Sequence, residues 1–118
     1  SKNNEHYFIM MANGTEVNIN ALKIRLSDQN KKSNVLDGLS VSSLIFDGVL
    51  HMITISKFQN AEKAMAYYRN IISSSYVLPD NKTDQINSFI ISIDNYPKFY
   101  QDKDVNKYMK LFEKEYLK

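Results

Sequence analysis

The chain has 118 residues, 43% of them hydrophobic, which is enough for one domain with its own core. Its 15 basic and 13 acidic residues nearly balance and only Arg25 and Arg69 are arginines, so the composition argues against a nucleic-acid-binding protein. The absence of cysteine excludes disulfides and cysteine metal sites, and no stretch approaches the roughly 20 apolar residues of a membrane span.

Alternating and helically spaced apolar residues, separated by turn residues, divide the chain into strands and helices. In chain order the predicted elements are a strand at 6–12, a helix at 18–32, a loop at 33–38, strands at 39–46 and 49–58, a helix after 60, a loop at 73–82, a strand at 88–93 and a last helix from about 102.

Local signals support several of these boundaries. Asn18 and Asn60 are suited to cap the first two helices, because an asparagine side chain can accept hydrogen bonds from the free backbone N–H groups of the first turn. Asp47-Gly48, between two apolar runs, predicts a type I′ hairpin turn. Pro97 is predicted to end the region after the last strand, before the final helix begins.

Both later helices carry an apolar stripe that should face the rest of the protein. The predicted stripe of the second helix is Ala61, Ala64, Met65, Tyr68 and Ile72. The predicted stripe of the last helix is Val105, Tyr108, Met109, Phe112 and Tyr116.

The order of elements is β-α-β-β-α-β followed by a helix, which is the ferredoxin-like arrangement of an α+β fold with a four-stranded antiparallel sheet. We expect one domain over 1–118, with the βαββαβ core at about 5–94 and a C-terminal helical extension at about 96–117. The strand residues predicted to face the two crossover helices, by alternation, are Ile53, Ile55, Phe89, Ile91 and Ile93.

The sequence carries no recognisable catalytic or cofactor motif. It lacks a phosphate-binding glycine loop and a nucleophile elbow, and its three glycines are too few for a phosphate cradle. His6 and His51 should lie on neighbouring strands, but no third ligand has a spacing that suits a metal. We therefore expect no enzyme activity, no cofactor and no metal.

The exposed sheet face is the other place where this fold binds ligands. In RNA-binding domains of this topology, aromatic residues on the central strands stack on bases. Tyr7 and Phe8 lie on the first strand, but the third strand lacks the corresponding aromatic pattern. An RNA-binding role is therefore the weakest of the readings considered.

The segment "NYPKFYQDKD" (95–104) is the most suggestive candidate surface. Tyr96, Lys98, Phe99 and Tyr100 surround Pro97, and aromatic side chains often anchor protein contacts. The same rings can equally pin the last helix onto its own domain. The expectation is that Phe99 serves the fold and Tyr100 serves a partner.

Two families are similar in sequence pattern. "VLHMITISKFQNAEKAMAYYRNI" resembles the strand-turn-helix half of SPOR domains. The whole chain from His6 to Leu117 resembles more closely the C-terminal region of Bacteroidetes tetratricopeptide-repeat lipoproteins of the SprE/PorW type. The segments that carry this second resemblance are "HYFIMMAN", "LSVSSLIFD", "SKFQNAEKAMAYY", "FIISIDNYPKFYQDKDV" and "YMKLFEKEYL".

The closer resemblance implies a non-catalytic protein-interaction or structural module of a larger repeat protein of gliding motility and type IX secretion. It also implies a periplasmic location, held at the outer membrane through a preceding part of the parent protein, which the start at Ser1 would suit. The alternative, implied by the SPOR resemblance, is binding of peptidoglycan glycan strands on the open sheet face. Ser56-Lys57 stands where SPOR domains often have a glycine.

The last helix should discriminate between these readings. If its stripe covers the sheet face opposite the first two helices, glycan binding and base stacking both lose their platform. If it packs elsewhere, that face stays open. The sequence leaves open which of these holds, the identity of the partner and the oligomeric state.

Overall fold

The computed structural model describes residues 1–33, 38–79 and 85–118, so the predicted loops at 33–38 and 73–82 lie partly outside the described residues. The described residues form four strands and four helices. They are β1 (His6–Asn13), α1 (Ile19–Ser33), β2 (Ser40–Asp47), β3 (Leu50–Phe58), α2 (Ala61–Ile72), β4 (Ile86–Ser92), α3 (Tyr96–Asp102) and α4 (Val105–Tyr116).

The strands form one antiparallel sheet in the order β2-β3-β1-β4. The connections account for this order, because each crossover helix joins two strands that are not neighbours in the sheet. The predicted α+β fold of the ferredoxin-like type is thereby confirmed.

The predicted caps are present at both crossover helices. Asn18 Oδ1 accepts from the Ala21 N–H at 3.0 Å, and Asn60 Oδ1 accepts from the Lys63 N–H at 3.0 Å. The stripe of α2 is as predicted except at its end, where Ile71 is buried and Ile72 is exposed. Both positions are compatible with helical spacing from Tyr68, so the pattern alone could not choose between them.

The hairpin turn is displaced by one residue from its predicted place. Asp47 still pairs with Leu50, so the two turn residues are Gly48 and Val49. Gly48 has a φ of 58°, whereas Asp47 does not have a positive φ, so the prediction of a type I′ turn at Asp47-Gly48 is wrong. An irregularity in the pairing between Ile45 and Asp47 accounts for the shift.

One sheet face, called here the first face, packs against the crossover helices. Phe8 lies on it, with its ring centroid 5.2 Å from that of Tyr67 on α2. Pairing places Ile55 and Ile90 opposite Phe8, so these side chains share the first face. The Tyr67 hydroxyl donates to Asn30 Oδ1 at 2.6 Å and joins α2 to α1.

The opposite, second face carries the remaining strand residues, and here the prediction for β4 is wrong. Ile9 pairs with Phe89, and Tyr7 pairs with Ile91, so Phe89 and Ile91 point away from α1 and α2. Ile93 lies beyond the end of the strand. Since Phe89, Ile90 and Ile91 are all buried, apolar residues stand on both faces and alternation could not orient the strand.

The C-terminal segment forms two helices where a single one was predicted. Pro97 lies in the first turn of α3. The backbone N–H groups of a first turn have no partner within the helix, so the N–H that proline lacks costs no helical hydrogen bond. Lys103 ends α3 with a φ of 59°, and Asp104 then caps α4 by accepting from the Lys107 N–H at 3.1 Å. The predicted break at Pro97 is therefore a helix start.

These two helices complete the core against the second face and the β4 edge. Phe99 of α3 lies between the rings of Phe46 and Phe89, at centroid distances of 5.1 and 5.4 Å. The Tyr108 hydroxyl of α4 donates to the Ile90 carbonyl at 2.7 Å. Since β4 is an edge strand, α4 protects a sheet edge that would otherwise lie open.

Candidate functional site

The candidate segment 95–104 divides into a buried residue and exposed ones, because α3 turns its residues in different directions. Phe99 is 4% exposed, and its ring stacks on Phe46 with an interplanar angle of 21°. It therefore fixes α3 to the sheet and is removed from any outside partner.

Tyr100 lies at the protein surface and is held there by three neighbours. Its side chain is 38% exposed. Its ring meets the Phe46 ring edge-on at 5.8 Å and stacks with the Tyr96 ring at 6.2 Å. The Lys103 ammonium lies 3.4 Å from the Tyr100 ring centroid and 4.5 Å from that of Phe46, in cation–π contact with both.

Tyr96 is half-buried and links α3 to β1. Its ring meets the Tyr7 ring edge-on at 5.2 Å. Burial, with the neighbouring Tyr100 and Tyr7, raises the pKa of the Tyr96 phenol, so this ring is neutral at physiological pH. Tyr7, Tyr96 and Tyr100 thus form one continuous group, called here the tyrosine surface.

Lys98 does not belong to this group. Successive helical residues are about 100° apart, so Lys98 projects from the side of α3 opposite Tyr96 and Tyr100. Its ammonium lies 3.5 Å from the carboxylate of Asp102, which also pairs with Lys107 of α4 at 4.0 Å. Both ion pairs are largely exposed and contribute little to stability.

A strip of the second face next to the tyrosine surface is left uncovered. The helices α3 and α4 cover the part near β4 and Phe46, where Met11, Met52 and Phe89 are buried. The open strip on β2 and β3 consists of the exposed Ser40, Ser42 and Leu44 and the half-buried Thr54 and Ser56. Sequence reasoning missed it, although alternation in β2 already places Ser40, Ser42 and Leu44 on one side.

The two histidines are far apart. His6 pairs with Phe58, whereas His51 pairs with Ala12, six positions further along β1. At about 3.3 Å per residue this separates them by roughly 20 Å. Across the described ranges, no group of three or more histidine, cysteine, aspartate or glutamate side chains is arranged to hold a metal ion.

His6 has a structural environment. It is fully buried, its Nδ1 lies 2.8 Å from the Asn4 carbonyl and its Nε2 lies 2.9 Å from the Tyr116 hydroxyl. Burial lowers the pKa of the imidazole, an effect that the Asn4 carbonyl only partly offsets. Since both ring nitrogens have partners, His6 joins β1 to the end of α4.

The aromatic pair proposed for base stacking is split between the two faces. Phe8 is fully buried on the first face, so only Tyr7 remains on the second. On that face β3 contributes Met52 and Thr54 in place of aromatic rings. The arrangement lacks the paired platform of an RNA-binding sheet.

Comparisons with protein families, with curated proteins and with solved structures gave no match to this chain. In the part of the chain that the structure describes, none of the helices has the length and apolar character needed to cross a bilayer.

Proposed function

We propose that this chain is a non-catalytic module that binds a protein partner through the tyrosine surface, as part of a larger envelope-associated repeat protein. The single observation that carries this proposal is Tyr100. It is a large aromatic side chain, 38% exposed, and it is immobilised by packing. Exposed tyrosines of this kind are frequent anchors of protein interfaces.

Preorganisation is the physical reason why such a surface would bind well. A side chain that is already fixed loses little conformational freedom when a partner docks. Tyr100 is held by Phe46, Tyr96 and Lys103, and α3 itself is fixed by the buried Phe99. A partner would therefore meet a rigid aromatic patch beside an open strip of hydroxyl groups.

The cellular setting in this proposal rests on the resemblance to the C-terminal region of SprE/PorW-type lipoproteins. It places the module in the periplasm, attached to the outer membrane through a preceding part of the parent protein. In this setting the partner is another component of the gliding-motility or type IX secretion assembly, and the module itself uses no cofactor.

The test is capture of an envelope component that depends on the tyrosine surface. The purified chain is immobilised and exposed to a detergent extract of Bacteroidetes envelopes, alongside Tyr100→Ala and a control, Tyr76→Ala, which removes another exposed tyrosine. We expect the parent and the control to capture the same protein and Tyr100→Ala to lose it at least tenfold. Equal capture by all three would refute the role of this surface.

The second candidate is binding of peptidoglycan glycan strands, and the open strip of the second face is the observation that favours it. Its hydroxyl side chains both donate and accept hydrogen bonds, as sugar hydroxyls require, and the tyrosine surface offers aromatic faces beside them. Because α3 and α4 leave this strip uncovered, part of the platform that a SPOR-like domain uses persists.

Co-sedimentation with purified sacculi separates the two candidates. A glycan-binding module should pellet with sacculi that have been stripped of protein, and Ser42→Arg should weaken this, since an arginine there would obstruct the strip. A protein-binding module should stay in the supernatant. Binding lost after glycan strands are digested, with envelope-protein capture unaffected, would favour the glycan reading.

A further inference from the structure

The two edges of the sheet differ in how they are protected. At the β4 edge, α4 covers the strand and Tyr108 donates to the Ile90 carbonyl. At the other edge lies β2, an eight-residue strand that, within the described residues, has β3 as its only strand neighbour. Among the described residues, no backbone group of Ser40–Asp47 bonds to a backbone group outside this sheet. Half of its backbone hydrogen-bonding groups thus face outward.

This edge also lacks the residues that usually block edge-to-edge pairing. Natural edge strands are protected by lysine, proline or inward-facing charges. Between Ser40 and Phe46 there is neither a charge nor a proline. Instead the strand exposes apolar side chains, with Leu44 40% and Ile45 64% accessible. An edge of this composition is suited to pair with another strand.

We propose that β2 pairs antiparallel with β2 of a second copy of this chain, about a two-fold axis at Ser43. In this register Val41 of each copy lies opposite Ile45 of the other, so the apolar pair occurs twice on the first face. Ser43 lies opposite Ser43, where the two hydroxyls can share a hydrogen bond. If the axis lay at Ser42, Val41 would face a serine, and if it lay at Leu44, Ile45 would face a serine. Neither register keeps the apolar pair of Val41 with Ile45.

The regular part of β2 has the length that this pairing requires. The irregularity between Ile45 and Asp47 ends the regular ladder after Ile45. The regular ladder therefore runs from Ser40 to Ile45, and a two-fold axis at Ser43 uses its five residues from Val41 to Ile45, while Ser40 falls opposite Phe46 of the other copy at the irregularity. The result is one continuous eight-stranded sheet across the dimer, with an isologous interface.

The self-complementary register and the lack of charge in the pairing segment favour a second copy as the occupant, and the small area sets the strength of the contact. The chain has a formal net charge of +2, and the pairing segment has none, so two copies meet without appreciable repulsion. A strand edge alone buries less than the roughly 1,200 Å² of total surface found in stable complexes. We therefore expect a reversible dimer with a dissociation constant in the micromolar range.

The first test measures self-association by sedimentation equilibrium for the parent, Ile45→Lys and Leu111→Lys. Ile45 is highly exposed, so the lysine should leave the fold intact while adding a charge at the edge. Leu111, 42% exposed on α4 at the far side of the sheet, is the matched control. We expect Ile45→Lys to weaken dimerisation at least tenfold and Leu111→Lys to leave it within twofold.

The second test reports the register directly, because the natural chain contains no cysteine. Ser43→Cys should form a disulfide-linked dimer under mild oxidation, since residues at a two-fold axis come within bonding range. Ser42→Cys should cross-link at least tenfold less, because its counterpart is displaced by two residues. A parent that is monomeric up to about 1 mM, or equal cross-linking by both variants, would overturn the proposal.

Discussion

Two adjacent residues of α3 have opposite roles. Phe99 is enclosed by Phe46, Phe89 and Tyr108, whereas Tyr100 turns outward with Lys103 against it. One step along a helix rotates the side chain by about 100°, which is enough to move a ring from the core to the surface. The stability cost of losing each ring should differ accordingly.

We predict that Phe99→Ala lowers the free energy of unfolding by about 3–5 kcal/mol, because it empties a filled aromatic site. Tyr100→Ala removes an exposed ring and one cation–π contact, so its cost should stay near 1 kcal/mol. Urea denaturation followed by circular dichroism measures both. Equal costs for the two variants would mean that Tyr100 also serves the fold.

His6 should make stability depend on pH. Burial lowers the pKa of His6 in the folded chain, whereas in the unfolded chain it titrates near 6.5. As pH falls below about 6.5 the unfolded state takes up a proton first, so the stabilisation present above that pH is lost as pH falls through the folded pKa. His6→Gln should remove this dependence.

The measurement is the free energy of unfolding of the parent and of His6→Gln at several values between about pH 7.5 and pH 5.5, a window centred on the histidine titration. The parent should lose stability toward the acidic end, and the variant should lose less. Parallel curves for the two proteins would contradict a buried, neutral His6.

At the scale of elements, the orientation of β4 determines which helix each of its side chains supports. Phe89 lies on the second face, in contact with Phe99 and Tyr108, whose ring is 4.9 Å away. Ile90 lies on the first face, opposite Phe8. Because both faces of β4 are apolar, this strand is the layer that joins the crossover helices to the C-terminal pair.

A double-mutant cycle tests this orientation. Phe89→Leu and Phe99→Leu remove two rings in contact, so their effects on the free energy of unfolding should be non-additive by about 0.5–1.5 kcal/mol. Phe89→Leu combined with Leu22→Ala, on α1, should be additive within about 0.5 kcal/mol. If Phe89 were coupled to Leu22 and not to Phe99, the result would support the orientation of β4 that was predicted from alternation.

At the scale of the whole molecule, the C-terminal helices belong to the same buried cluster as the sheet. Phe99, Tyr108 and Phe112 pack with the buried residues of all four strands. Phe112 touches Tyr68 of α2 at 5.2 Å and Phe89 at 6.3 Å, so it connects the two layers at the β4 edge. The segment 96–117 therefore supplies part of the hydrophobic core. Without this segment, the βαββαβ unit would have to complete the core alone.

We predict that a fragment ending at residue 94 does not unfold cooperatively. It would expose Ile9, Met11, Phe89 and Ile91, and the exposure of each side chain removes roughly 1.5–3 kcal/mol of hydrophobic stabilisation. Urea melts and near-UV circular dichroism of the fragment 1–94 measure this, with the fragment 1–116 as the control that keeps α4. A sharp melt of the shorter fragment would show that the sheet and crossover helices suffice.

The sequence by itself determined the features that depend on near neighbours. The asparagine caps, the stripe of α2 and the pairing of β2 with β3 each involve groups a few residues apart, so local residue types predict them. The order of these elements then restricts the topology to the ferredoxin-like arrangement. Pro97 misled this reasoning, since a proline can stop a chain segment or begin a helix.

Only the tertiary structure decided which face of β4 meets α2 and how much of the second face stays open. A strand that is apolar on both sides, as at Phe89, Ile90 and Ile91, carries no alternation from which its orientation could be read. The register with β1 fixes that orientation, and the register depends on residues some eighty positions apart. The sequence did suggest that Phe99 serves the fold, but its burial depends on Phe46 and Phe89, which the fold brings together from distant parts of the chain.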